Sequence, residues 1–248
     1  MPTIYLSPST QEYNPYYGGE GNEEYYMNLI ADAMEPYLTS SGIGFVRNTP
    51  DMTAASSIAA SNQGGYDVHL ALHSNASPPS MSGLLRGTDV YYNPSSARSE
   101  QLAEIIANNL KYLYPDSSLV KAVPTTSLGE VVRTRAPGVL VEFAYHDNPD
   151  DAAWIRANIQ NLARNIVLSL TEYFGIPFIE PSPARQATAD LSSGYLNIRS
   201  RPAYDAPVVA TAADGEPLTV LGAWNGWFLV RRGGDTGYVR SEYITLNY

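Results

Sequence analysis

Apolar positions along the first 174 residues change period from one stretch to the next, and the changes sort the chain into strands and helices. Ile4 to Leu6 reads as a short strand, and residues 22–38 carry Met27, Ile30, Met34 and Leu38 at helical spacing. Pro36 removes a backbone donor near the end of that helix and is expected to weaken or kink it. Phe45 and Val46 predict a second strand and residues 53–62 a second helix. Residues 68–73 predict a buried strand, with Gly64 and Gly65 just upstream. Another strand follows at residues 89–92. Residues 99–113 are helical by their Leu102, Ile105, Ile106, Leu110 and Leu113 set, residues 139–143 are an apolar run around one glutamate, and residues 152–174 form a long amphipathic helix. Strands alternating with helices in this way give an α/β sheet with helices on both faces.

Between Phe174 and Ala189 the pattern stops, and three prolines among small polar residues favour extended backbone without a core. The expected organisation is a domain over residues 1–178, a Pro-rich linker over 179–189 and a second domain over 190–248. Beyond the linker come short β-rich runs at residues 196–199, 208–211, 218–221, 227–230 and 236–239. That spacing, with glycine turns, predicts a small all-β barrel or sandwich.

The 248 residues are 44% hydrophobic and 16% charged, which excludes a disordered chain. No window reaches the roughly 18 apolar residues of a membrane span, so membrane insertion is not expected. Fifteen basic against 25 acidic residues give a net charge of −10, which repels the phosphate backbone that nucleic-acid binders require. Cysteine is absent, removing disulfides, thiolate metal sites and thiol nucleophiles together. The N-terminal Met-Pro-Thr-Ile-Tyr-Leu has neither the basic region nor the apolar stretch of a signal peptide, so the sequence leaves the export route open.

Only three histidines exist, His69, His73 and His146. His69 and His73 share one face of the strand 68–73, about 13 Å apart at 3.3 Å per residue. Two ligands of one zinc ion lie within roughly 4 Å of each other, so these two cannot share a metal. His73 closes the strand where a sheet opens into a site, whereas His69 lies deeper and reads as a hydrogen-bonded core residue. Glu142 interrupts the apolar run 138–143, where a carboxylate must be paired, neutralised or metal-facing. Glu23 and Glu24 open the first long helix, a place where acidic residues ordinarily complement the helix dipole.

Taken together, these positions resemble the zinc-dependent N-acetylmuramoyl-L-alanine amidases of type 3. The resemblance rests on Ser7-Pro8-Ser9 after the first strand, Glu24 with Asn28 at a helix start, His73-Ser74-Asn75-Ala76, and Pro137-Gly138-Val139-Leu140-Val141-Glu142 followed by Asn148. It implies that Glu24 and His73 ligate one zinc ion, or another divalent metal, and that Glu142 is the catalytic carboxylate. Asn75 and Asn148 become candidate substrate or supporting hydrogen-bonders. Arg133, or Arg135, is placed to pair with a carboxylate of the stem peptide.

One departure matters. The family's first strand usually runs into Asp-Pro-Gly-His-Gly, whose histidine ligates zinc, whereas this chain reads Ser7-Pro8-Ser9-Thr10-Gln11-Glu12. The replacement ligand is then Gln11, Glu12, Thr10 or water. Gln11 and Glu12 have the reach, and Gln11 is favoured, although a neutral amide oxygen is a weaker donor to zinc than imidazole. At the other end, Gly194-Tyr195-Leu196-Asn197-Ile198-Arg199, Asn225-Gly226-Trp227 and Gly237-Tyr238-Val239-Arg240 resemble the bacterial Src-homology-3-like cell-wall modules.

The combined expectation is a cell-wall or extracellular hydrolase. It would cut the amide between N-acetylmuramic acid and L-alanine in bacterial peptidoglycan with a zinc-bound water. A wall-binding protein that has lost catalysis and a metallopeptidase acting on the stem peptide are the rival expectations.

Overall fold

In the computed structural model, residues 1–247 are described. The chain divides into two compact units, one of residues 3–35 and 45–173, the other of residues 1–2, 36–44 and 174 onward.

The first unit is built on six strands: β1 (Thr3–Pro8), β2 (Gly44–Arg47), β3 (Val68–Asn75), β4 (Thr88–Tyr92), β5 (Val120–Pro124) and β6 (Gly138–Tyr145). Their order is β2-β1-β3-β6-β4-β5. The pairs β1–β3, β3–β6 and β4–β5 run parallel and β4–β6 antiparallel, so the sheet is mixed. β3 and β6 lie in the middle, and their apolar runs follow from that position: Val68, Leu70, Leu72, Val139 and Val141 are fully buried. β5 is short, ends in a proline and was not read from the sequence; a register with β4 from Thr88↔Val120 to Tyr92↔Pro124 fixes it.

Helix α1 (Glu23–Ser41) contains the Met27, Ile30, Met34 and Leu38 stripe, all four fully buried. It runs on past Pro36 to Ser41, three residues beyond the expected end. Burial of Leu38, Ser40 and Ser41 anchors the turn beyond the proline. Helix α2 (Ala54–Gln63) starts in a capping box between Thr53 and Ser56. Helices α3 (Ala97–Leu110) and α4 (Gly129–Val132) follow. The long helix expected at 152–174 is two helices, α5 (Pro149–Ala157) and α6 (Ile159–Phe174). Asn158 leaves helical geometry between them, and its side chain donates to the Trp154 carbonyl at 2.9 Å.

The second unit contains β7 (Arg185–Ala189), β8 (Leu196–Arg199), β9 (Val208–Ala212), β10 (Pro217–Trp224), β11 (Trp227–Arg232), β12 (Asp235–Arg240) and β13 (Ile244–Leu246). They form one sheet in the order β13-β7-β10-β11-β12-β8-β9, with antiparallel pairings throughout. Five of these strands sit where the β-rich runs predict them. The other two are β13 and β7, the latter inside the stretch expected to be linker. In that stretch Ile179 is also buried, and its carbonyl accepts from Ser40 Oγ at 2.5 Å. The β10–β11 turn is Asn225-Gly226 with φ of 44° and 79°, the left-handed pair that a two-residue hairpin requires. Trp227 and Tyr238 are core residues, whereas Trp224 is 40% exposed.

Candidate active site

The sheet brings the chemistry to the C-terminal end of its middle strands. In register, His73 of β3 stands beside Glu142 of β6, and Glu142 stands beside Asp89 of β4. The β3–β6 register then slips, so that Asn75 faces Tyr145, a bulge where the strands open. β1 pairs with β3 as far as Pro8↔Leu72, which carries the following loop to the end of β3. A cavity of about 330 Å³ opens there, lined among others by Ser9, Gln11, Tyr13, His73 and Glu130.

His73 is held from both sides. Its Nδ1 lies 2.8 Å from Glu23 Oε1 and 3.2 Å from Gln11 Nε2, and its Nε2 lies 3.2 Å from Glu130 Oε2. Burial opposes a charge on the imidazole, but the hydrogen bonds to Glu130 and Glu23, with Glu142 nearby, hold its pKa well above the usual value. The carboxylate that meets His73 is therefore that of Glu23, not that of Glu24 as the motif resemblance implied. Glu23 is four residues before Met27 and continues the inward stripe of α1. Glu24 lies one position round the helix and lines a separate groove with Asn28 and Arg47. Burial pushes the Glu23 carboxyl up, yet bonds from His73 and Asn14 outweigh it and hold the pKa below the ordinary range.

Glu130, on the single-turn helix α4, was not singled out by sequence. Its Oε1 accepts from Ser7 Oγ at 2.5 Å and lies 3.2 Å from His69 Nε2, while its Oε2 meets His73. It thus links the two histidines that are too far apart for one metal ion. Burial raises its pKa, but the two imidazoles more than compensate and bring it down to about 2. His69 is fully buried, hydrogen-bonded to Ser61 at 3.0 Å and stacked on Tyr5, as its core reading requires.

Glu142 behaves differently from the other carboxylates. Its Oε2 is sealed from solvent with no hydrogen-bond partner. Burial raises its pKa to about 7; His73 pulls against this, and Glu23, Asp89 and Glu130 add to it. Asp89, also missed by sequence, is pushed up by burial as well.

The other expected site residues take structural parts. Asn148 caps α5, accepting from the backbone of Asp150 at 3.0 Å and Asp151 at 3.2 Å, while its amide donates to the Gly83 carbonyl at 2.8 Å. Both ends of its amide are engaged and the residue is buried, which gives Asn148 a capping part. Asn-Pro-Asp-Asp is a helix-start signature, and that signal was available in the sequence. Asn75 turns its Oδ1 to the Ala76 amide at 2.9 Å. Arg133 is exposed at the end of α4, and it precedes β6 at the end opposite Glu142. Arg135 is tied to Asn62.

The donor set decides what cation this site can take. Among the described residues no group of three His, Cys, Asp or Glu side chains is arranged to hold a metal ion. Glu23 Oε1 and His73 Nδ1, 2.8 Å apart, do meet the spacing of two ligands on one ion. With a metal bound, His73 would give up the proton it shares with Glu23 and keep one on Nε2 toward Glu130, the usual carboxylate–imidazole support for a metal. Gln11 is the third neighbour. Its Nε2 faces His73, while its Oε1 accepts from Tyr13 and Asn14. Ligation by Gln11 thus needs the amide turned over. The excess of carboxyl groups around one imidazole and the unpartnered Glu142 oxygen fit a divalent cation.

A family model described as N-acetylmuramoyl-L-alanine amidase matches residues 10–172, and one described as bacterial SH3 domain matches residues 194–245. Among solved structures, the chain is similar to the N-acetylmuramoyl-L-alanine amidase AmiC2 of Nostoc punctiforme. The TM-score is 0.61 at 17% identity, covering 70% of this chain and 97% of that one. It is also similar to the catalytic domain of CwlV, an N-acetylmuramoyl-L-alanine amidase from Bacillus (Paenibacillus) polymyxa var. colistinus. That match has a TM-score of 0.61 at 19% identity, over 71% of this chain and all (100%) of that one. A third likeness, to the catalytic domain of the CD27L endolysin targeting Clostridia difficile, has a TM-score of 0.55 at 19% identity over 69% and 98%. At these identities the structural likenesses establish the fold. No match is found among curated proteins.

Proposed function

Because the chain belongs to the N-acetylmuramoyl-L-alanine amidase family, we propose that Glu23 and His73 hold the zinc ion on which that family generally depends and that Glu142 is its general base. The chain is a peptidoglycan hydrolase, and its reaction breaks the amide between the lactyl group of N-acetylmuramic acid and L-alanine. The observation that carries the assignment is the 2.8 Å approach of His73 Nδ1 to Glu23 Oε1, with Glu142 in register on the next strand. The family match also sets aside a metallopeptidase acting within the stem peptide.

When bound, zinc would acidify a water molecule and polarise the scissile carbonyl. The protein's own residues supply the rest. Glu130 keeps the His73 ring oriented, and Asn14 and His73 fix Glu23. Glu142, whose carboxyl is raised by burial to about 7 in the metal-free protein, would accept the proton of the attacking water and return it to the departing alanine nitrogen. A base poised near neutrality does both with little free-energy loss. Gln11, with its amide turned over, would complete the ligand set through its oxygen, and the metal would be held more weakly than by a second imidazole.

The C-terminal unit, matched over residues 194–245 by the bacterial SH3 model, would hold the enzyme on peptidoglycan, and with the amidase match it supports a cell-wall location. No described helix is long and apolar enough to cross a membrane.

Metal content separates the two adjacent glutamates. Purified Glu23→Gln is expected to retain little zinc, and Glu24→Gln to retain the wild-type amount. The reverse pattern would return the ligand to Glu24.

A further inference from the structure

A cavity separate from the amidase site lies wholly in the C-terminal unit. It has a volume of about 390 Å³, within the range of small-ligand sites. Tyr195, Tyr204 and Tyr243, three of the four exposed aromatic side chains in residues 185–247, line it. They are 71%, 67% and 43% exposed, far more than a barrel core needs to leave outside. Although the chain carries a net charge of −10, the only charged side chains among the described residues lining this cavity are Arg199 and Arg240.

Both guanidinium groups are held in place. Arg240 lies over the Trp227 ring at 5.5 Å and the Tyr204 ring at 5.7 Å, and those two rings meet edge to face at 5.5 Å. Its Nε contacts Glu242 at 3.3 Å, and Glu242 is not among the lining residues. Arg199 Nη1 donates to the Ala206 carbonyl at 2.8 Å, which ties β8 to the loop that carries Tyr204. Stacked, oriented guanidiniums lose less freedom when they bind a planar anion, and the fork of an arginine matches a carboxylate.

We propose that this groove binds a carboxylate of the peptidoglycan stem peptide, with Arg240 and Arg199 as the anion contacts and Tyr195, Tyr204 and Tyr243 as the walls against the peptide. The proposal rests on the reading that this unit holds the enzyme on the wall, and it names the part of the polymer that is held. Uncharged glycan would use the rings but not the two cations. A phosphate-bearing wall polymer would use the cations with little need of three exposed rings.

The test uses the full-length chain. Arg240→Gln and Tyr195→Ala are expected to lower affinity for purified sacculi roughly tenfold. Hydrolysis of a soluble muropeptide should stay at the wild-type rate in both. An N-acetylated stem peptide with free carboxylates should shift the Trp227 indole N–H resonance, and the same peptide with its carboxylates amidated should not. Stripping phosphate polymers from the sacculi should leave binding intact. Wild-type sacculus affinity in both variants, an equal shift with the amidated peptide, or loss of binding on stripping would each overturn the groove assignment. Failure of the wild-type protein to bind sacculi at all would overturn the anchoring reading itself. A fall in soluble-muropeptide turnover in these variants would place the groove in catalysis and also sink the proposal.

Discussion

Replacing Glu130 by glutamine tests whether one buried carboxylate organises the site. The substitution keeps shape and volume but removes the charge that Ser7, His69 and His73 share. The glutamine amide nitrogen can face His73 Nε2 only if that nitrogen accepts, which moves the imidazole proton to Nδ1, the side of Glu23. Two magnitudes follow. The native carboxyl sits at about 2 against an ordinary 4.5, which at about 1.36 kcal/mol per pH unit corresponds to roughly 3 kcal/mol of stability near neutrality. Because the folded pKa is the lower one, that stability is present above 4.5 and is lost as pH falls toward 2. Losing the oriented imidazole lone pair should also weaken metal binding about 10- to 100-fold. Urea unfolding of the metal-free protein reads the first effect: Glu130→Gln should lose about 3 kcal/mol at pH 7 and much less at pH 3. Chelator competition reads the second. A variant with wild-type unfolding at pH 7 and wild-type metal affinity would refute the idea that Glu130 holds His73.

Glu142→Gln should retain metal and reduce turnover about 100- to 10,000-fold, measured on soluble muropeptide, because the amide cannot accept the water proton. In the zinc-loaded wild type, activity should fall in acid as Glu142 takes up its proton, at a pH below about 7 because the cation favours the carboxylate. The same raised pKa costs the metal-free fold stability as pH rises through 7, so Glu142→Gln should raise its unfolding midpoint at pH 8. Gln11→His should shift the chelator midpoint toward tighter zinc binding, since imidazole is the better donor. An unchanged midpoint would move the third ligand to Glu12 or water.

The middle strands and the inward stripe of α1 were legible because apolar periodicity reports burial directly. That stripe also points to Glu23, four residues before Met27, whereas the motif resemblance points to Glu24. The phase of the helix decides between adjacent residues, and phase is a finer signal than motif order. Glu142 announced itself as a charge in an apolar run. Glu130 did not, because a carboxylate beside Val131 on a four-residue helix has no local mark, and only tertiary packing brings it to two histidines on β3. Asn148 shows the opposite case, since the capping part it takes in the structure had a local signal in Asn-Pro-Asp-Asp that the motif resemblance overshadowed. In the second unit β7 was hidden among prolines and small polar residues. Its strand character comes from pairing with β10 and β13, and not from its own apolar pattern.

The central claim is metal-dependent cleavage of the muramyl–alanine amide, and the new amino termini released from sacculi test it most directly. The full-length protein loaded with zinc should free amines on L-alanine alone and create no new reducing ends in the glycan. Release should stop with chelator and resume on adding zinc. Amines on any other residue, or release from sacculi that persists after the metal is removed, would contradict the account.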